Sequence, residues 1–523
     1  MSAPPVGIYE WFHRSAERDS DQSALEVDGV GLSYRELDVW VARVATEILA
    51  TDSVRAGTVG LLASRTVGTY VGYLAALRAG VPVVPMNPQV PAARNATICA
   101  AADVRLVLSD DTELATRREL IREYPAPILS LGNRDWLTVE SAESGPAELT
   151  PAHPDDIAYI LFTSGSTGRP KGVPIRHRQL SEFTPYCAER YGVGPTSRLS
   201  QTFDLTFDPS VFDMSVSWFA GATLVVPSRE QILTPARFVN EHRITHWYSV
   251  PSVISLAGRL RNLTPNSMPE LRWSIFAGEQ LTLDQARAWT TAAPLSIIEN
   301  AYGPTELTVT CVGYRLPRDV DNWPRTSNGT VPIGTPYPHL ESVLLDTGTE
   351  GAIPSAGELC VRGSQRFAGY LSMEDNCDRF RREGESAEAF APPGPKDWYR
   401  TGDLVSWHGG SLVHLGRIDD QVKISGHRVE VGEVEAVLRS HQFVDEAVVL
   451  AAPTRRGGEL CLFAAYVGRD DDGHLLDHLR QHLPSYMVPS RTVKIANFPL
   501  NTNGKIDRRR LREELAGDLS SVR

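Results

Sequence analysis

Short apolar runs alternate with longer amphipathic stretches through the first 150 residues. Thr58-Val59-Gly60-Leu61-Leu62 and Val81-Pro82-Val83-Val84-Pro85 predict strands, and Tyr70 to Ala79 between them predicts a helix. Upstream, Tyr34-Arg35-Glu36-Leu37 opens an amphipathic helix with Ser33 as its N-cap. This strand–helix–strand order predicts layered α/β units, and it recurs from Leu199 to Ile298. After Gly329 the pattern shortens to strands and turns such as Gly357-Glu358-Leu359-Cys360-Val361-Arg362-Gly363, which predicts a β-rich subdomain. Glu383 to Lys396, rich in Gly, Pro, Glu and Ala, reads as a surface loop. A second compact unit starts near Asp419, with helices over Val431–Leu438 and Leu475–His482 and strands over Ala447–Leu450 and Cys461–Val467. The expected architecture is α/β: a large N-terminal domain over 1–418 and a smaller α+β C-terminal domain over 419–523.

Composition narrows the function classes. With 523 residues and 42% hydrophobic content, the chain can bury a large core in more than one domain. A net charge of −12 argues against a nucleic-acid binder, which needs a basic face. Arg508-Arg509-Arg510 is a local exception and reads as the start of a terminal helix capped by Asp507. The first residues show no signal peptide, and no apolar run is long enough to span a membrane. The six cysteines are scattered without a CxxC pair, as in a reducing compartment, so a cytoplasmic protein is expected.

One segment points to chemistry. The apolar run Ile157 to Phe162 leads into Thr163-Ser164-Gly165-Ser166-Thr167-Gly168-Arg169-Pro170-Lys171-Gly172. Glycines let backbone N–H groups turn towards an anion, hydroxyls add donors, and lysine adds a mobile charge. This composition predicts a phosphate-holding loop. Its spacing differs from GxxxxGK[ST], and the following Val173-Pro174-Ile175 looks like a strand instead of a helix.

Five further segments are dense in functional residue types: Phe207 to Met214, Asn300 to Glu306, Tyr399 to Asp403, Gly416 to Glu435, and Asn503 to Asp507. In this order, with the phosphate loop, they resemble the adenylate-forming ligases, and most of all the amino-acid adenylation domains of nonribosomal peptide synthesis. The resemblance covers nearly the whole chain. It implies a mobile C-terminal domain, an active site between the domains, and ATP and Mg²⁺ as cofactors. In such chemistry a carboxylate attacks the α-phosphorus of ATP, so positioning and charge neutralisation dominate.

The resemblance assigns roles residue by residue. Thr163, Ser164, Gly165, Ser166, Thr167, Gly168 and Lys171 would hold phosphates, and Glu306 would bind Mg²⁺. Gly278, Glu279, Ala301, Gly303 and Thr305 would line the nucleotide, Tyr302 would face adenine, and Asn300 would meet its edge. Asp403 would accept the ribose hydroxyls, with Arg417 nearby, although His414 stands where relatives often carry tyrosine. Lys505 would bridge the reacting carboxylate and the α-phosphate, as a compact charge on a flexible stem. Thr163, Glu306 and Lys505 make the expected catalytic set. Asp419 matches the hinge, beside Asp420, and Lys423, Gly426 and Arg428 lie on a strand–turn unit that swings in for the second half-reaction in relatives.

Asp208 matches the aspartate that pairs with a substrate ammonium in amino-acid-activating relatives. From the same anchors the acid pocket would be lined by Pro209, Phe212, Ser249, Ile275, Ala277, Ala301, Val309 and Thr310, with Lys505 at the carboxylate. No second charge appears, which points to a small or medium neutral amino acid. Ser249 and Thr310 could bond a hydroxyl. Asp213, where relatives commonly have Glu, lies off the pocket face. The chain ends soon after Lys505, so a stand-alone ligase serving a separate phosphopantetheine carrier protein is expected, with no nucleic-acid or membrane partner. Gly409-Gly410-Ser411 reads as a hairpin turn and not as a carrier's serine motif. The alternative within the same fold is an acyl- or aryl-CoA ligase, which would not need Asp208.

Overall fold

The computed structural model describes residues 7–51, 54–110, 114–132, 151–165, 169–346, 356–382, 392–419, 421–453, 460–469, 474–499 and 506–515. Two large sheets form the bulk of the chain. The first has six strands in the order Ile128–Ser130, Val104–Ser109, Thr58–Leu62, Val83–Met86, Ile157–Thr163, Lys171–Arg176, parallel except for the last pair. Thr58–Leu62 is buried at every position, as expected of a parallel strand covered on both faces.

The second sheet has nine strands and runs Thr335–Pro336, Val312–Arg315, Ile297–Tyr302, Trp273–Phe276, His246–Ser249, Arg198–Ser200, Thr223–Val226, Ser23–Val27, Val30–Ser33. Its middle is parallel and its two ends are antiparallel. Helices Val67–Arg78 and Pro209–Ala220 share one continuous core with strands of both sheets. Val67–Arg78 is buried all round, which is why its sequence shows almost no polar face. It starts earlier than the apolar pattern suggests because Thr66 caps it, accepting from the Thr69 N–H. Ser33 and Glu36 form a full capping box on helix Tyr34–Leu49.

The β-rich region is an antiparallel sheet of Leu340–Leu345, Ala356–Gly363, Trp398–His408, Phe380–Arg381 and Ser411–Arg417. Gly409 and Gly410 join two of these strands with φ of +56° and +80°, so both turn positions need the left-handed region. A smaller body follows. It opens with the hairpin Gln421–Ile424/His427–Glu430 and continues with helix Val431–Arg439, strands Val444–Pro453, Leu460–Gly468 and Arg491–Lys494, and helices His474–His482 and Arg508–Glu514. Val429, Val434, Leu438, Val449, Leu462, Leu475 and Leu479 give it a separate core. None of the six cysteines is in a disulfide. Among the described residues no helix is long and apolar enough to cross a membrane.

One buried charge cluster ties the nine-stranded sheet to helix His177–Arg190. Glu299 is 0% exposed, and its carboxylate takes bonds from Arg190 at 2.6 Å and from Tyr191 at 3.0 Å, with Arg315 at 3.6 Å. Removing one partner of a buried pair strands the other charge, at a cost of about 3–5 kcal/mol. Arg190→Ala should therefore lower the melting temperature clearly, whereas Arg237→Ala, which breaks an exposed pair with Glu241, should not shift it measurably.

Candidate active site

The carboxyl ends of the parallel strands converge on one cleft, where ligands bind in open α/β sheets. Thr163 and Tyr302 end their strands, and Ala277 and Gly278 directly follow Trp273–Phe276. The hairpin of the smaller body closes the cleft from the opposite side. Two cavities of about 130 and 760 Å³ share a wall made of Gly278, Tyr302, Gly303, Asp403, Arg417, Gln421 and Lys423.

Asp403 anchors the larger cavity. Its carboxylate accepts from the Tyr302 hydroxyl at 2.6 Å, His414 Nε2 at 3.0 Å and Arg417 at 2.9 Å. Burial alone would raise its pKa, but Arg417 and His414 outweigh burial and hold the carboxyl far below the usual range. His414 therefore has a definite partner, and Gln280 bonds its other ring nitrogen at 2.9 Å. Asn300 gives both amide hydrogens to the carbonyls of Val331 and Pro332, leaving Oδ1 as an acceptor on the cavity wall. Glu279 also lines this cavity, but its Oε2 is committed to the Ser252 N–H at the start of helix Ser252–Arg259. Lys423 holds its ammonium 6.0 Å above the Tyr302 ring.

Asp208 lines the smaller cavity with Pro209, Ala277 and Val309. It stands at the N-terminus of helix Pro209–Ala220 yet makes no side-chain cap bond. Burial pushes its carboxyl up to about 7, aided by the nearby Glu306 carboxylate and opposed by a Thr305 hydrogen bond. Val309 is held at φ +69°, a strained position for a β-branched residue. Gly303 packs so closely beneath it that a Cβ would come within 2.6 Å of the Val309 carbonyl and the Thr310 Cα.

The acid-pocket expectation needs one correction. Side chains alternate across a strand, so Tyr248 and Ser249 face opposite ways. Ser249 Oγ accepts from the Trp247 indole at 2.9 Å, on the far side of the sheet, and Tyr248 lines the cavity instead. Tyr248 packs edge-on against Phe212 and Phe203, with ring centroids 5.0 and 4.9 Å away, and is in register with Ile275. Phe212 and Ile275 thus back the pocket wall, and Ala301 lines the larger cavity. Thr310 Oγ1 is shared with the Tyr337 hydroxyl at 2.9 Å. Asp213 is buried off the pocket, with both carboxylate oxygens lacking a hydrogen-bond partner.

The phosphate loop and Glu306 meet the smaller body. Glu306 is 0% exposed and receives the Arg428 guanidinium, 3.0 Å from each carboxylate oxygen, and the Tyr370 hydroxyl at 2.5 Å. Burial works against its ionisation, but Arg428 and Tyr370 prevail and lower its pKa. Ser164 Oγ donates to the Arg428 carbonyl at 2.8 Å and accepts from the Glu430 N–H at 3.1 Å. Lys171 lies 3.4 Å from Asp375 and over the Tyr370 ring. Arg417 forks onto both oxygens of Asp419 at 2.6 and 2.8 Å, which ties the expected hinge to the cleft. Ser166, Thr167, Gly168, Asp420 and Lys505 lie outside the described residues. Sequence reasoning missed Tyr248, Tyr370 and Asp375, and it gave Arg428 no partner.

Residues 12–371 match the family model described as AMP-binding enzyme, and residues 433–505 match that of the AMP-binding enzyme C-terminal domain. The chain belongs to the AMP-binding enzymes. Among curated relatives, tyrocidine synthase 1 of Brevibacillus parabrevis is 32% identical over 97% of this chain and 45% of its own length. Phosphinothricin tripeptide synthetase PhsC of Streptomyces viridochromogenes is 34% identical over 97% of this chain and 45% of its own length. The chain therefore spans less than half the length of these synthetases. The crystal structure of IdnL7 is 35% identical with a TM-score of 0.71, covering 98% of this chain and 100% of that one. The Vibrio cholerae adenylation domain AlmE, solved with glycyl-adenosine-5′-phosphate, is 26% identical with a TM-score of 0.81, covering 99% of each chain.

For this AMP-binding enzyme the strand parity makes a direct prediction. Tyr248→Ala should open the wall of the smaller cavity and shift acid preference towards larger side chains, read by ATP–pyrophosphate exchange across a panel of acids. Ser249→Ala should leave that preference unchanged and cost only about 1 kcal/mol of stability from the lost hydrogen bond.

Proposed function

We propose that this enzyme activates an amino acid with ATP as aminoacyl-AMP, releasing pyrophosphate, and then passes the aminoacyl group to the phosphopantetheine thiol of a carrier protein. The observation that carries the reading is Asp208. It is an enclosed carboxylate facing a small cavity; its pKa stays raised although the Lys423 ammonium acts to lower it, and among the described residues no ion pair to it is formed. A substrate ammonium is the partner it lacks. An acyl- or aryl-CoA ligase would have no use for that carboxylate.

In the first step the substrate carboxylate attacks the α-phosphorus, and the bond to pyrophosphate breaks. Asp208 holds the ammonium. Thr163 to Lys171 hold the β- and γ-phosphates, and Lys505 brings positive charge to the reacting carboxylate and α-phosphate. Tyr302 and the Asn300 amide take adenine, and Asp403 takes the ribose. Glu306 fits a magnesium ion, because one carboxylate beside a phosphate site is how that metal is usually held. When bound, the metal neutralises phosphate charge. In the second step the thiol sulfur attacks the carbonyl carbon and AMP leaves. The 1–418 body supplies most of both pockets, the 419–523 body adds Lys423 to their shared wall and supplies Lys505, and Asp419 is the hinge between them. The substrate is a small or medium neutral amino acid, supported by the 130 Å³ cavity and its Tyr248 and Phe203 walls.

Amino-acid-dependent ATP–pyrophosphate exchange is the direct test, and exchange supported by aryl or fatty acids alone would contradict the reading. Two finer predictions accompany it. The ammonium binds ionised Asp208, whose pKa is raised to about 7, so affinity should be constant above that pH until the amine itself deprotonates, and should fall below it. The KM for the amino acid should rise about tenfold per unit as pH drops from 7 to 5, and Asp208→Asn should abolish that slope. Lys505→Ala should slow adenylation on the order of 10²–10³-fold while sparing transfer from a pre-formed adenylate. Adenylation near the wild-type rate would remove Lys505 from catalysis.

A further inference from the structure

Asp403 has its charge met, yet its two oxygens are not equally engaged. Oδ1 accepts from His414 Nε2 at 3.0 Å and from Arg417 at 2.9 Å. Among the described residues, the Tyr302 hydroxyl at 2.6 Å is the one donor to Oδ2. A carboxylate oxygen offers two lone-pair sites, so Oδ1 is filled and Oδ2 keeps one site open. The neighbours hold this asymmetry in place. Gln280 Nε2 lies 2.9 Å from His414 Nδ1 and 3.2 Å from the His414 carbonyl oxygen. A carbonyl oxygen only accepts, so the Gln280 amide turns its N–H bonds this way. His414 Nδ1 therefore accepts, and the ring hydrogen sits on Nε2, facing Asp403. Asn328 donates to the same carbonyl at 3.0 Å. Arg417 is held on Oδ1 by further bonds to the Thr401 carbonyl at 3.2 Å and to both oxygens of Asp419.

We infer that His414 is a positioning residue that leaves Asp403 room for one ribose hydroxyl, so that this enzyme tolerates a nucleotide lacking the other. Two hydroxyls on neighbouring carbons match the two oxygens of a free carboxylate, one donor to each. Here the His414 N–H stands in for one of them. Only Oδ2 is left to take a hydroxyl, beside the Tyr302 bond that orients it. The inference rests on the proposed ribose role of Asp403, and it adds which part of the ribose that carboxylate reads.

The test is calorimetric binding of ATP, 2′-deoxy-ATP and 3′-deoxy-ATP with magnesium, without amino acid or carrier. In the wild type one analogue should bind at least about tenfold more weakly than ATP, because a hydrogen bond to a charged acceptor is lost. The other should bind within about threefold of ATP. His414→Ala frees the second site on Oδ1, so the smaller loss should grow until the two lie within about threefold of each other. His414→Gln returns an N–H donor at the reach of Nε2 and should restore the wild-type asymmetry, which a packing role for the ring would not do. Equal losses for the two analogues in the wild type would overturn the inference and leave the proposed function standing. So would an asymmetry that survives in His414→Ala, or a His414→Gln variant that behaves as His414→Ala does. Binding indifferent to both hydroxyls would remove Asp403 from the ribose, and that part of the proposed function would fall with the inference.

Discussion

Three carboxylates, Asp208, Glu306 and Asp403, are enclosed in one cleft, and the cost of burying charge decides what else the cleft must hold. Each needs a cation or a dense set of donors. Asp403 is fully provided for by Arg417, His414 and Tyr302. Glu306 is neutralised by Arg428, which belongs to the other body. Asp208 has a hydroxyl from Thr305 and the field of the Lys423 ammonium, yet its carboxyl is still pushed up to about 7, so it is the least well provided of the three. The graded order of satisfaction fits the proposed chemistry, in which Asp403 would anchor the nucleotide, Glu306 would stand on the phosphate side and Asp208 would meet an ammonium.

The scaffold keeps these groups apart and oriented. Two sheets meet through a shared core, and the ends of their parallel strands deliver Thr163, Ala277 and Tyr302 to one line. The Gly303 backbone presses against Val309 and Thr310, holding Val309 in a conformation it would otherwise avoid. The opposite wall is a hairpin held by Arg428–Glu306, by the two Ser164 bonds, by the Phe207–His427 ring contact at 4.3 Å and by Gly426 packed against Val250.

Much of this was legible in the chain, for reasons that can be named. Thr58–Leu62 was readable because a buried parallel strand is apolar throughout, and the Ser33 cap because its chemistry is local. The cleft residues were readable where function compresses them into short contiguous segments. Tyr248 was not, because a one-residue slip along a strand moves a side chain to the other face, and only the register against Trp273–Phe276 fixes which face lines the cavity. Tyr370 and Arg428 were illegible as partners of Glu306 because they approach it across 64 and 122 residues of chain. Pairing of that kind is a property of the fold and leaves no local pattern.

The central claim is that the smaller cavity is built for a cationic ligand head. Binding of a neutral small aminoacyl sulfamoyl-adenosine, compared with the same molecule lacking its amino group, measures this without turnover. A desolvated ammonium–carboxylate pair worth about 2–5 kcal/mol predicts at least about thirtyfold tighter binding of the amino form, and Asp208→Asn should erase most of that difference. Equal affinity of the two molecules for the wild-type enzyme would contradict the account.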